Sequence, residues 1–96
     1  MTVIRTSRFK TDPARTEEML AKRADLISAV RATHPGLAEA RLARVGEDTW
    51  IDMWRWDSPA SMQAALVGAP SLPEAAAAFA LTSDLTAENA ELVDER

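Results

Sequence analysis

The hydrophobic pattern changes period several times along this chain, and each change marks an element. Residues 2–10, Thr-Val-Ile-Arg-Thr-Ser-Arg-Phe-Lys, are rich in β-branched and aromatic types and predict a first strand. Asp12-Pro13 opens a helix, because the carboxylate caps free N–H groups and proline fits the first helical position. Glu17 and Glu18 follow where negative charge suits the helix dipole. Met19, Leu20, Ile27 and Val30 recur at helical spacing, with Ala24 and Leu26 filling the stripe. His34-Pro35-Gly36 ends this helix near Thr33.

A second strand is predicted from Ala38 to Val45, a hairpin turn at Gly46-Glu47-Asp48 and a third strand from Thr49 to Trp56. Asp57-Ser58-Pro59 repeats the cap-then-proline device and opens a helical region around Ala60–Val67, which Gly68, Pro70 and Pro73 interrupt. Ser71-x-x-Glu74 has the form of a capping box for a further piece, Glu74–Leu81, and a last strand is expected near Thr86–Val93. The order β-α-β-β-α-β is the split βαβ, or ferredoxin-like, arrangement. It predicts an α+β fold with an antiparallel sheet, one domain over residues 1–96.

Side chains alternate across a strand, so Trp50, Asp52, Trp54 and Trp56 share one face of the third strand and Ile51, Met53 and Arg55 the other. Two helices cover only one face of a four-stranded sheet. Burying one large apolar side chain is worth roughly 1.5–3 kcal/mol. A second copy of the chain, sheet against sheet, is therefore expected over the Ile51/Met53 face as a homodimer.

Composition narrows the chemistry. Nineteen of the 96 residues are alanine, so packing rests on the larger side chains, the three tryptophans among them. With no cysteine and His34 as the single histidine, thiolate chemistry and a multi-histidine metal centre within one chain are excluded. Gly36, Gly46 and Gly68 are isolated and make neither a phosphate-binding loop nor a dinucleotide fingerprint. A net charge of −4 is a poor match to a nucleic-acid backbone, so no nucleic-acid partner is expected. Nothing resembles a signal peptide or a membrane span, and a cytoplasmic protein without a membrane partner is expected. His34 has the place of a helix C-terminal charge, and no Ser-His-Asp triad is in prospect.

The strand followed by Asp12-Pro13 and a long helix, the Pro35-Gly36-Leu37 break and the strand ending in Trp56-Asp57-Ser58-Pro59 together resemble the antibiotic biosynthesis monooxygenase family of dimeric α/β barrels. The resemblance covers nearly the whole chain. It implies a pocket between sheet and helices in each subunit of a dimeric α/β barrel. It also implies, in some members, oxidation of anthrone or dihydroquinone rings by molecular oxygen with no metal, flavin or other cofactor. Trp56 stands where relatives have a strand-three tryptophan. Ring-oxidising members have an asparagine four strand positions earlier, where this chain has Asp52, and a tyrosine six residues later, where it has Met62. The first-strand asparagine of haem-degrading relatives falls near Thr6, and their second tryptophan and haem-ligating histidine near Ala65 and Ala75, which argues against haem degradation.

The resemblance therefore nominates Asp52 as proton acceptor and Trp56, Thr6 and Met62 as the pocket for a small aromatic or quinone-like molecule. Trp50 and Trp54 are expected to be core anchors beneath the helices. A carboxylate flanked by tryptophans on its own face is desolvated, which raises its pKa and suits a base for an acidic phenol. An ion pair with Arg41 or Arg44 across the hairpin would lower it instead, and both readings stand at this stage. The resulting expectation is a cofactor-independent, monooxygenase-like oxidoreductase. The alternatives are a non-catalytic barrel that binds a hydrophobic metabolite or protein partner, or an isomerase or cyclase on the same scaffold.

Overall fold

In the computed structural model, which describes all of residues 1–96, the strands β1 (Val3–Lys10), β2 (Leu37–Arg44), β3 (Thr49–Trp56) and β4 (Ser83–Glu91) form one sheet in the order β2-β3-β1-β4. Every neighbouring pair is antiparallel. Helices α1 (Thr16–Thr33), α2 (Pro59–Gly68) and α3 (Pro73–Phe79) supply the crossovers. This is the ferredoxin-like α+β fold that the element order predicts.

The start signals act largely as read. Asp12 Oδ1 accepts from the Ala14 N–H at 3.0 Å and starts a 3-10 turn at Pro13–Arg15, from which α1 continues. Ser58 Oγ accepts from the Ser61 N–H at 3.1 Å and caps α2, with Pro59 at the first position. The capping box at Ser71 and Glu74 does not form. Ser71 Oγ donates back to the Gly68 carbonyl at 2.8 Å, α3 begins after Leu72 without a side-chain cap, and Glu74 Oε2 is buried without a partner. The reason is local: Ala69–Ser71 forms its own 3-10 turn, which places Ser71 inside one element rather than at the threshold of the next.

Strand register sorts the sheet into two faces. On the helix side, successive cross-strand rows read Trp56 with Val3, Trp54 with Arg5, Asp52 with Ser7 and Trp50 with Phe9. From β2, Leu37, Ala40, Leu42 and Arg44 join the same rows. A register shift between Leu37 and Glu39 keeps Leu37 on this face. A second shift opposite Phe9 adds a residue to β4, where Asp84 has φ 52°, a left-handed conformation that aspartate tolerates. Glu39, Arg41, Ala43, Ile51, Met53, Arg55, Ile4, Thr6 and Arg8 form the outer face.

The core is split in two. One cluster joins Val3, Trp56 and Leu37 of the sheet to Leu26, Ile27 and Val30 of α1, Met62 and Ala65 of α2 and Ala75 of α3. The other is Phe9, Met19, Trp50 and Leu81. Between them, at the row of Asp52 and Ser7, lies polar chemistry in place of packing. Leu20 and Ala24, expected in the buried stripe of α1, are exposed. The buried positions are Met19, Leu26, Ile27 and Val30, and Arg23 lies in line with them at helical spacing.

Gly36 is required by close approach. A Cβ there would lie 2.6 Å from Ser61 Cβ and Oγ and 2.7 Å from Asp57 Oδ1. The Gly36 carbonyl also accepts from the Asp57 N–H at 2.9 Å, which ties the end of β3 to the start of β2. No helix is long and apolar enough to cross a membrane.

Candidate functional site

A cavity of about 280 Å³ opens between the sheet and the helices. Its sheet wall is Arg5, Ser7 and Phe9 of β1, Asp52, Trp54 and Trp56 of β3 and Leu85 of β4. Its helix wall comes from Met19, Arg23, Leu26 and Val30 of α1, Ala65 and Leu66 of α2, and Ala75, Ala78 and Phe79 of α3. The small side chains of α2 and α3 leave space where bulkier residues would fill it. Phe79 and Leu85, half exposed, mark where it meets solvent.

Asp52 is buried, and the group that meets it is Arg23. The Arg23 Nε–H donates to Oδ2 at 2.8 Å and an Nη2–H to Oδ1 at 2.9 Å, a bidentate fork. The expected partners across the hairpin are elsewhere. Arg41 is paired with Met53 on the outer face and donates to Glu39 at 2.8 Å. Arg44 lies over the Trp50 ring, 4.8 Å from its centroid, and donates to the carbonyls of Gly46 and Glu47. Directly across the hairpin from Asp52 is Leu42, so the register denies the carboxylate a cation from β2.

The tryptophans divide. Trp50 is a core residue beside Phe9 and Met19. Trp54, expected in the core, is half-buried and lines the cavity with Trp56, their ring centroids 6.4 Å apart at 42°. Trp56 is 2% exposed, and its Nε1–H has no hydrogen-bond partner within the chain. Such a buried donor costs free energy until an acceptor reaches it.

Of the residues nominated from the sequence, Asp52 and Trp56 border the cavity. Thr6 and Met62 do not. Thr6 pairs with Met53 and belongs to the outer face, because a strand side chain one position from Arg5 points the other way. Met62 is packed in the core cluster with Trp56. Ser7, Arg5 and Arg23 occupy the polar positions instead. Arg23 carried a signal in the sequence: it stands four residues after Met19 and four before Ile27, a charge inside an apolar stripe. No group of three or more His, Asp or Glu side chains is arranged to hold a metal ion.

No protein-family profile and no curated protein matches the chain. Solved structures do. SnoaB from Streptomyces nogalater, described as a cofactor-independent oxygenase, superposes with a TM-score of 0.74 at 23% identity over 98% of this chain and 95% of its own. A single-substitution variant of it gives 0.78 at 22% identity over the same shares. A Caulobacter crescentus protein, described provisionally as an antibiotic biosynthesis monooxygenase, gives 0.76 at 18% identity, covering 97% of this chain and 91% of that one. Over nearly its whole length, then, the chain has the fold of solved proteins described as a cofactor-independent oxygenase and, provisionally, as antibiotic biosynthesis monooxygenases.

Proposed function

We propose that the cavity binds a small aromatic or quinol-type molecule and oxidises it with molecular oxygen without a bound cofactor. The observation that carries this reading is the Arg23–Asp52 pair set in an otherwise mostly apolar wall beside Trp54 and Trp56. The shared fold with a cofactor-independent oxygenase supports the same general kind of chemistry.

Such a reaction needs one thing from the protein, a substrate carbanion or phenolate, since the anion gives an electron to oxygen far more readily than the neutral ring. With an anthrone as the case, Asp52 takes the proton of the ring methylene. The guanidinium of Arg23, until then matched by the carboxylate, faces the new enolate oxygen. Charge lost at Asp52 is charge gained on the substrate, and the cation serves both states without moving far. One electron passes to oxygen, the superoxide and ring radical join at carbon, and the resulting peroxide anion takes back the proton held by Asp52. The hydroperoxide then loses water to leave the ketone. Anthrone and O₂ become anthraquinone and H₂O, which balances without an outside reductant.

The engagement of both Asp52 oxygens by Arg23 also suits a second reading, a barrel that binds such a molecule without turning it over. An oxygen electrode separates the two. Anthrone should be consumed one-for-one with oxygen, and at an unchanged rate after dialysis against chelator. No acceleration over buffer across a panel of anthrones and quinols would leave only the binding reading.

The outer face belongs to the same proposal. Ile4, Ile51 and Met53 lie together there, Met53 being 36% exposed, among Arg8, Arg41 and the Glu39–Arg55 pair. A second copy of the chain packed sheet to sheet covers them.

A further inference from the structure

Three charged side chains border the cavity, Arg5, Arg23 and Asp52. Two cations against one carboxylate leave one positive charge over, in a chain whose net charge is −4. Arg23 is matched by Asp52 through its Nε and Nη2 edge. Arg5 takes part in none of the ion pairs of the chain. It donates from Nη1 to the neutral amide oxygen of Asn89 at 2.8 Å, and that bond fixes the guanidinium without neutralising it. The Nε and Nη2 edge of Arg5, the edge with which Arg23 grips a carboxylate in the same cavity, has no protein acceptor. Register sets Arg5 between Trp54 on β3 and Asn89 on β4, and both Arg5 and Trp54 line the cavity.

We propose that the ligand of this cavity is an aromatic carboxylate, its ring against Trp54 and Trp56 and its carboxylate in the fork of Arg5. A planar bidentate acceptor matches that fork, which a neutral amide or a single-oxygen anion does not. The inference rests on the cavity being the ligand site, as above, but not on oxidation taking place there.

The test compares naphthalene-2-carboxylate with its neutral, near-isosteric carboxamide, by tryptophan fluorescence and calorimetry at low salt. The acid should bind the wild-type protein ~10-fold or more tightly than the amide. Arg5→Gln should remove that advantage, bringing the affinity for the acid to that for the amide, with circular dichroism confirming the fold. Arg5→Lys, which keeps the charge and lacks the fork, should retain only part of it; full retention overturns the bidentate arrangement. Equal binding of acid and amide, no binding of either, or a preference that survives Arg5→Gln overturns the proposal. Oxygen uptake is scored separately. Turnover of a neutral anthrone without any carboxylate preference sinks this inference alone, and carboxylate selectivity without oxygen uptake sinks only the oxidative reading.

Discussion

Arg23 and Asp52 lie 29 positions apart in the chain and meet through two hydrogen bonds of 2.8 and 2.9 Å, between the first helix and the third strand. Their side chains are 18% and 10% exposed, and the pair separates the two apolar clusters of the core. Removing one partner of a buried pair typically costs ~3–5 kcal/mol, because the other charge is left stranded. Asp52→Asn and Arg23→Gln should each lower the melting temperature by ~10 °C or more. The double variant should lose less than the sum of the singles. Strict additivity in thermal melts would show that the pair is not coupled.

Activity separates the chemical role of Asp52 from the structural one. General-base catalysis contributes ~10²–10⁴-fold. Oxygen uptake by Asp52→Asn, measured well below its own melting temperature, should fall by that order while binding of naphthalene-2-carboxamide persists. Undiminished uptake in a folded variant would rule out proton transfer to Asp52.

Trp54 is half-buried where Trp56 is fully enclosed, and the two should respond differently. Trp54→Ala should cost little stability and weaken binding of an aromatic ligand by ~3–10-fold, the worth of a stacking contact. Trp56→Phe also removes a buried donor with no partner, which offsets part of its packing loss. Calorimetric titration of both variants checks this, and unchanged affinity in Trp54→Ala would mean that its ring is not in contact with ligand.

Gly36→Ala should destabilise by ~1–3 kcal/mol, since a Cβ would press on Ser61 and Asp57 at 2.6–2.7 Å. Gly46→Ala is the control, because a Cβ there meets nothing within 4 Å. Equal melting temperatures for the two variants would contradict the close approach.

The outer face is tested by light scattering at ~50 μM, where an obligate interface burying ~2,000 Å² or more persists. Twice the 10.5 kDa chain mass is expected, and Met53→Lys should shift the population toward monomer. On this face the Glu39 carboxyl is held below its ordinary value, chiefly by the hydrogen bond from Arg41 and then by that from Arg55. A lowered folded-state value means that its stabilisation is present above the unfolded pKa and is lost as pH falls through the folded one. Nuclear magnetic resonance should find the Glu39 midpoint below the ordinary glutamate value, moving back up in Arg41→Ala.

The element order, the third strand from Thr49 to Trp56 and the proline-marked helix starts were all legible in the sequence. These are local properties: a two-residue period, a capping carboxylate and a ring that fixes φ act within a few residues of themselves. That Asp52 shares a face with the tryptophans also followed from the strand alone. Its partner did not. Whether Arg41 and Arg44 could reach it depended on hairpin register, and the register that forms pairs Arg41 with Met53 on the outer face and Arg44 with Trp50, over whose ring it lies. Arg23 could be seen as a charge in an apolar stripe, but only the packing of α1 on the sheet brings it to the row of Asp52 and Ser7. Arg5 became a site residue, and Thr6 did not, for the same reason: parity along β1 relative to the helices is fixed only when the strand pairs with β3. Local chemistry determined which elements form, and the three-dimensional register decided which side chains meet, because a slip of one residue in a strand exchanges its two faces.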